Sequence, residues 1–166
     1  MKMPDFDWSS LPCERSELGI VIVDHGSRRA QSNEMLPMVV DMYRQTCPFE
    51  IVEPAHMELA LPSIADAFAR CVEQGAKLVV VHPYFLLPGR HWDQDIPRLA
   101  AEAASQHAGL QFLVTSPLSL HPLMAQVIQS RIEQCLEHAL GKGESCSLCE
   151  ATDKCQLRPG SDGDPK

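Results

Sequence analysis

Strand-sized apolar runs that alternate with helical patterns constrain this chain more than any other feature. Leu18 to Asp24 (LGIVIVD) is a β-branched run closed by His-Gly-Ser. Its length and composition are those of a buried strand rather than a helix. Ile51 to Ala55 is a weaker second strand, Lys77 to Val81 (KLVVV) a strong third, and Gln111 to Thr115 (QFLVT) a fourth. Between them the period turns helical. Leu36, Val39, Val40 and Tyr43 define one face, and Pro37 requires that helix either to start close by or to bend. Pro62 suits a first turn, after which Ile64, Phe68, Cys71 and Val72 share a face and Gly75 supplies the stop. Ile96, Leu99, Ala100 and Ala103 repeat the pattern. Pro122 opens a last helix whose apolar stripe, expected to be buried, is Met124, Val127, Ile128, Ile132, Cys135 and Leu136.

The order βαβαβαβα forces parallel strands joined by helical crossovers. The predicted fold is α/β: a doubly wound, mainly parallel four-stranded sheet with helices on both faces, followed by an irregular Cys-rich tail. Residues 1–17 read as an N-terminal extension, 18–140 as the folded domain and 141–166 as the tail. After about residue 159 the SDGDPK stretch has the composition of a flexible segment.

Composition narrows the function classes. With 45% apolar residues the chain can bury one real core, and its longest apolar runs are too short to span a membrane. A net charge of −8 argues against nucleic acid, whose phosphates demand Lys and Arg. Any anion site must therefore be local. Residues 1–17 carry neither a secretory nor an Arg-rich amphipathic pattern, so a cytoplasmic location is expected unless a transit segment has been removed. In that setting the seven cysteines read as thiols or metal ligands rather than disulfides.

Ligands of an open parallel sheet bind beyond the carboxyl ends of its strands. Three loops there carry chemistry: Asp24-His25-Gly26-Ser27-Arg28-Arg29, His56-Met57-Glu58, and Gly89-Arg90-His91-Trp92-Asp93. Each brings a titratable group to one edge. His25 reads equally as a metal ligand, a base or a helix-entry residue, and His91 on a neighbouring loop tips it toward a shared metal site. Two imidazoles without thiolate suit Fe(II), Co(II), Ni(II) or Zn(II) alike. By spacing alone Glu58 is a surface carboxylate at a helix start more readily than a general base. Asp24 either orients His25 through its ring N–H or simply ends the strand. Arg28, Arg29 and Arg90 beside these groups suit a polycarboxylate ligand, guanidinium being the natural fork for carboxylates. His82 reads as a core histidine and His121 as a helix-entry residue.

The tail forms a second constellation, Cys135-x10-Cys146-x2-Cys149-x5-Cys155. Four thiols at this spacing suit tetrahedral zinc or an iron–sulfur cluster, and the pattern does not choose between them. A redox CxxC, less suited to a tail than to a helix N-terminus, and unliganded thiols are the other readings.

The segments VDHGSRRAQSNEML, VEPAHMELALPSIADAF, GAKLVVVHPYFLLPGRHWDQDIPRLAAEA and SPLSLHPLM resemble the sirohydrochlorin chelatase family. These are single-domain class II chelatases, small cobaltochelatases among them. HGSR, then ELA-x-PS, then G-x-H-x-x-x-DIP is a specific combination, in order over residues 18–140. The CSLCEATDKC run resembles the plastid ferrochelatase branch, whose tail carries an iron–sulfur cluster.

The resemblance implies His25 and His91 as metal-binding and catalytic histidines, with Glu58 as the assisting carboxylate. The substrate it implies is a tetrapyrrole, sirohydrochlorin, with Fe(II) as the metal inserted; Arg28 and Arg90, from the carboxylate argument above, are expected with Ser27 at its peripheral carboxylates. The resemblance further implies a homodimer, plus a cluster of the 2Fe-2S type on Cys135, Cys146, Cys149 and Cys155, with structural zinc as the alternative. A plastid stroma location follows if a transit segment precedes residue 1. The alternatives to iron insertion are a cobalt- or nickel-inserting chelatase and a non-catalytic metal or iron–sulfur carrier.

Overall fold

The computed structural model describes residues 7–150, 152, 154 and 156–158. The chain divides into two compact units, 1–119 and 120–166. In the first, four strands form one parallel sheet: β1 (Leu18–Asp24), β2 (Ile51–His56), β3 (Leu78–Pro83) and β4 (Gln111–Val114), in the order β2-β1-β3-β4. The central strand β1 is buried on both faces for six of its seven residues, as its unbroken apolar run requires.

Helices cover both faces, as the alternation predicts. Between β1 and β2 come α1 (Ala30–Asn33) and α2 (Met35–Arg44). Leu36 and Val40 of α2 pack on Leu18, Ile20, Ile22 and Val52. Pro37 is the third residue of α2, inside the first turn, where a missing N–H costs nothing. The opposite face carries α3 (Ile64–Glu73) and α4 (Ile96–Ala104), whose Ile64, Phe68, Cys71, Ile96 and Ala100 meet Val21, Val23, Val79 and Val81. Helix α3 lies so close to β1 that a Cβ on Gly19 would sit 3.0 Å from Cys71 Sγ. Burial there pushes the Cys71 thiol up to about 12. The entry to α3 differs from expectation. Pro62 lies outside it, and Ser63 caps the helix, exchanging hydrogen bonds with Asp66 in a capping box.

In the second unit, α5 (Pro122–Ala139) begins at Pro122 as predicted, with His121 Nδ1 accepting the Leu123 N–H at 3.2 Å. The burial expected of its apolar stripe is not found. No residue of α5 is buried, and Val127, Ile128, Ile132 and Leu136 are each about half exposed. Periodicity marks a face as apolar but does not supply the surface that covers it. Among the described residues no helix is long and apolar enough to cross a membrane.

Candidate active site

The sheet register aligns the carboxyl ends of the strands. Asp24 of β1 lies opposite His56 of β2, and Val23 opposite Pro83 of β3. Backbone pairing then runs on into the loops. Met57 N–H donates to the Asp24 carbonyl at 2.8 Å, and Glu58 N–H to the His25 carbonyl at 3.1 Å. Gly26 makes this approach possible. Its φ is +81°, and a Cβ there would fall 2.0 Å from the Glu58 carbonyl oxygen, so only glycine fits.

This scaffold brings His25, Glu58 and His91 together. The two imidazoles stand edge to face with ring centroids 5.0 Å apart. His25 Nε2 lies 3.1 Å from Glu58 Oε1, while its Nδ1 lies 3.1 Å from the Gly26 carbonyl. His91 Nδ1 lies 2.8 Å from Asp95 Oδ2. A carbonyl and a carboxylate only accept, so each Nδ1 carries a hydrogen; His91 Nε2 then presents its lone pair, while His25 Nε2 is engaged by the Glu58 carboxylate. Two Nε2 atoms, each fixed by a partner on the far side of its ring, are the usual preparation of histidine for a metal.

His91 owes its position to an unusual local conformation. Residues His91–Asp95 form a single π-helical turn, with Ile96 N–H donating to the His91 carbonyl, directly ahead of α4. Such turns concentrate at functional sites because they set side chains where an α-helix would not. Trp92 Nε1–H donates to the Thr115 carbonyl at 2.8 Å, which ties the turn to the chain leaving β4.

The pairing of Asp24 with His25 is corrected by the structure. Asp24 Oδ1 accepts the Gly26 N–H at 2.9 Å and meets His56 Nδ1 at 2.5 Å. The register sets the 2%-exposed His56 opposite Asp24, so the carboxylate braces the loop that carries His25 rather than its ring. His82, expected in the core, is only partly buried; its Nδ1 meets Thr115 Oγ1 at 2.8 Å, and the desolvation it does experience lowers its basicity. Ser27 is occupied in bracing its own loop. Its N–H donates to Asn33 Oδ1 and its carbonyl accepts from Asn33 Nδ2, both at 2.8 Å, while Ser27 Oγ accepts the Arg29 N–H. Arg28 and Arg90 are exposed.

Beside His91 opens a cavity of about 460 Å³, lined by Met57, Glu58, Arg90, His91, Asp95 and Arg98 among others. Among the described residues no three His, Cys, Asp or Glu side chains meet as a ready-made metal cage. Both imidazoles stand at a partly solvent-exposed edge. Three participants escaped the sequence reading: Asp95, His56 and Arg98. Asp95 was findable, standing four residues after His91 where one helical turn brings side chains together. His56 becomes visible only once the strand register is known.

In the second unit, Cys155 lies outside the described residues. Cys146 and Cys149 sit on one tight turn, with the Cys149 and Glu150 N–H groups donating to the Cys146 carbonyl at 2.9 and 3.0 Å. The Leu148 N–H, then the Cys149 side chain and N–H, hold the Cys146 thiol below the usual range for cysteine.

Comparison with known proteins decides the family. The sequence profile described as CbiX matches residues 19–135. The chain belongs to the CbiX family. This CbiX chain is 55% identical over 139 residues, 84% of its length, to a protein named sirohydrochlorin ferrochelatase, chloroplastic, from Arabidopsis thaliana. It spans 62% of that relative's length. Among solved structures it resembles the sirohydrochlorin chelatase SirB from Bacillus subtilis subspecies spizizenii in complex with cobalt. There the TM-score is 0.66 at 26% identity, covering 70% of this chain and 50% of that one. A structure of SirB from Bacillus subtilis with Fe3+ matches with the same TM-score at 25% identity, covering 70% and 46%. The CbiX fold and the four-stranded α/β architecture agree.

Proposed function

We propose that this chain is a chelatase of the lyase class that inserts Fe(II) into sirohydrochlorin, forming sirohaem and releasing two protons. The observation that carries the reading is the pair of imidazoles 5.0 Å apart, each held through Nδ1, with His91 Nε2 open and His25 Nε2 against Glu58 Oε1. The 55% identity to a protein named for this reaction supports the choice of substrate and metal.

The residues divide the work. His25 and His91 receive Fe(II) on Nε2 and pass it to the ring nitrogens, a matter of holding two reactants in position. Glu58 faces His25 Nε2 across 3.1 Å. A hydrogen lies between two such atoms at that distance, and the arriving cation sends it to solvent. The freed carboxylate then takes one pyrrolic proton as the metal enters the ring, and the second leaves to solvent. Arg28 and Arg90, with the Ser27 loop, hold peripheral carboxylates of the substrate.

Residues 18–140 act as the chelatase domain, with 1–17 as an extension and 141–166 as the Cys-rich tail. The working unit is a homodimer. Cys135, Cys146, Cys149 and Cys155 bind an iron–sulfur cluster of the 2Fe-2S type, or zinc. The donor set fits: backbone N–H groups directed at the Cys146 sulfur favour a thiolate, the form that ligates metal. A bound cluster supplies one-electron chemistry, which metal insertion, being redox-neutral, does not consume. The chloroplastic name of the relative supports the plastid stroma over the cytoplasm.

The test is anaerobic absorbance of the protein with sirohydrochlorin before and after Fe(II). Metallation faster than without protein is the expected result, and no acceleration by folded, metal-binding protein favours a carrier instead. The cobalt held by the related SirB makes Co(II) insertion the second reading, so Co(II) and Ni(II) belong in the same assay.

A further inference from the structure

We infer that Arg98 joins Arg90 in a carboxylate-binding subsite on the α4 side of the two histidines, a role for Arg98 that neither the motifs nor the family resemblance assigns. The inference rests on the function proposed above and specifies where one acidic arm of the macrocycle is held.

The chain carries a net charge of −8, so a polyanionic substrate must be met by local positive charge. The 460 Å³ cavity beside His91 supplies it. Arg90 and Arg98 line it together with His91, and Met57 and Leu99 contribute apolar surface. The two acidic groups of the cavity are already engaged, Glu58 with His25 and Asp95 with His91. They therefore do not claim the guanidinium groups. Arg98 Nη1 lies 2.7 Å from Glu102, one turn further along α4, but both side chains are 58% exposed and such pairs hold weakly. A guanidinium has five N–H donors, so Arg98 can take a substrate carboxylate without leaving Glu102.

The chemistry matches an acetate or propionate arm: a short alkyl stem on the apolar surface and a carboxylate on paired guanidinium groups. It also explains why the cavity adjoins His91. An arm anchored there fixes the rotation of the macrocycle about the metal, and with it which nitrogens face His25 and His91.

The experiment is titration of the full chain with metal-free sirohydrochlorin, following the ligand's fluorescence, for wild type, Arg98→Gln and Glu102→Gln. Arg98→Gln should weaken binding roughly five- to twentyfold, raise KM in step and leave kcat within about twofold, as expected for ground-state binding. Glu102→Gln removes the ion pair but keeps the guanidinium, and binding should not weaken. Unchanged affinity in Arg98→Gln overturns the subsite while the chelatase reading stands. Equal losses in both variants overturn it too, because Arg98 would then act only by holding α4. A wild-type chain that does not bind sirohydrochlorin fails the proposed function itself and the subsite with it.

Discussion

The carboxyl edge of the sheet and the cysteine turn after α5 both offer metal-binding atoms, yet they are built in opposite ways. At the sheet edge the donors are set by the fold. His25 leaves the most buried strand, its loop is stitched to Glu58 by backbone hydrogen bonds, and Gly26 admits no other residue. His91 is fixed by Asp95 and by a π-turn tied through Trp92 to the end of β4. In the tail, Cys146 and Cys149 rest on a single local turn, and no residue of α5 ahead of them is buried. The first arrangement is set by the fold, as the proposed handling of a metal substrate requires. The second rests on local backbone, and a proposed resident group there would have to add its own order.

The contrast is broken most directly at His91. His91→Ala should lose at least about a hundredfold in insertion rate, because a donor misplaced or missing at the reacting centre costs that much. The fold should survive, since the side chain is half exposed and outside both cores. Anaerobic absorbance for activity and thermal unfolding for stability check the two halves. Near-normal activity in a folded variant would remove His91 from the site.

Asp95→Asn probes whether preorganisation matters rather than the ligand alone. The amide keeps the size but can turn its NH2 toward Nδ1, which favours the wrong tautomer of His91. Loss of a histidine's supporting carboxylate commonly costs about ten- to a hundredfold in metal affinity or activity. Measured Fe(II) or Co(II) affinity should fall in that range, with rescue of stability unnecessary because none is lost. An unchanged affinity would mean that the π-turn alone fixes His91.

The same contrast explains how much was legible in the sequence. β-branched runs declared the four strands, and alternation with helices declared them parallel, so His25, Glu58 and His91 were sent to one edge without any coordinates. Their immediate partners were not all legible. By sequence Asp24 either orients its neighbour His25 or ends the strand, but it bonds His56, 32 residues away, because strand register decides who faces whom. The strand order β2-β1-β3-β4 is likewise a tertiary choice that local periodicity leaves open. The stripe on α5 reads as amphipathic whether or not anything covers it. In the tail, cysteine spacing announced ligands, but the N–H groups of Leu148 and Cys149 on the Cys146 sulfur are features of backbone shape.

Breaking the tail should leave the sheet edge working. Cys146→Ser removes a proposed cluster ligand, so the iron–sulfur or zinc content of purified protein should drop, read by metal analysis and visible absorbance. Insertion is redox-neutral and its donors lie elsewhere, so the rate should stay within about threefold, an effect without loss of any transition-state contact. A collapse of insertion in a folded, dimer-competent Cys146→Ser protein would show that the two regions are coupled.

The smallest effect is the sharpest in location. Thiolate, not thiol, reacts with iodoacetamide. In metal-free protein the Cys146 thiol, held low by N–H groups, ionises at lower pH than an ordinary cysteine, so below the ordinary cysteine range it should label faster than an exposed cysteine without such donors. Cys71, pushed to about 12 by burial between α3 and β1, stays protonated throughout the same range. Peptide mass spectrometry across pH 6–9 should therefore show Cys146 modified and Cys71 protected until the domain unfolds. Loading the tail with metal should then protect Cys146 as well, while Cys71 does not change. If Cys71 were labelled in folded protein, the core around Gly19 would be far looser than its packing requires. If Cys146 stayed inert in the metal-free state, the turn would not be holding a thiolate, and the preparation of the tail for a metal would have to come from elsewhere in residues 120–166.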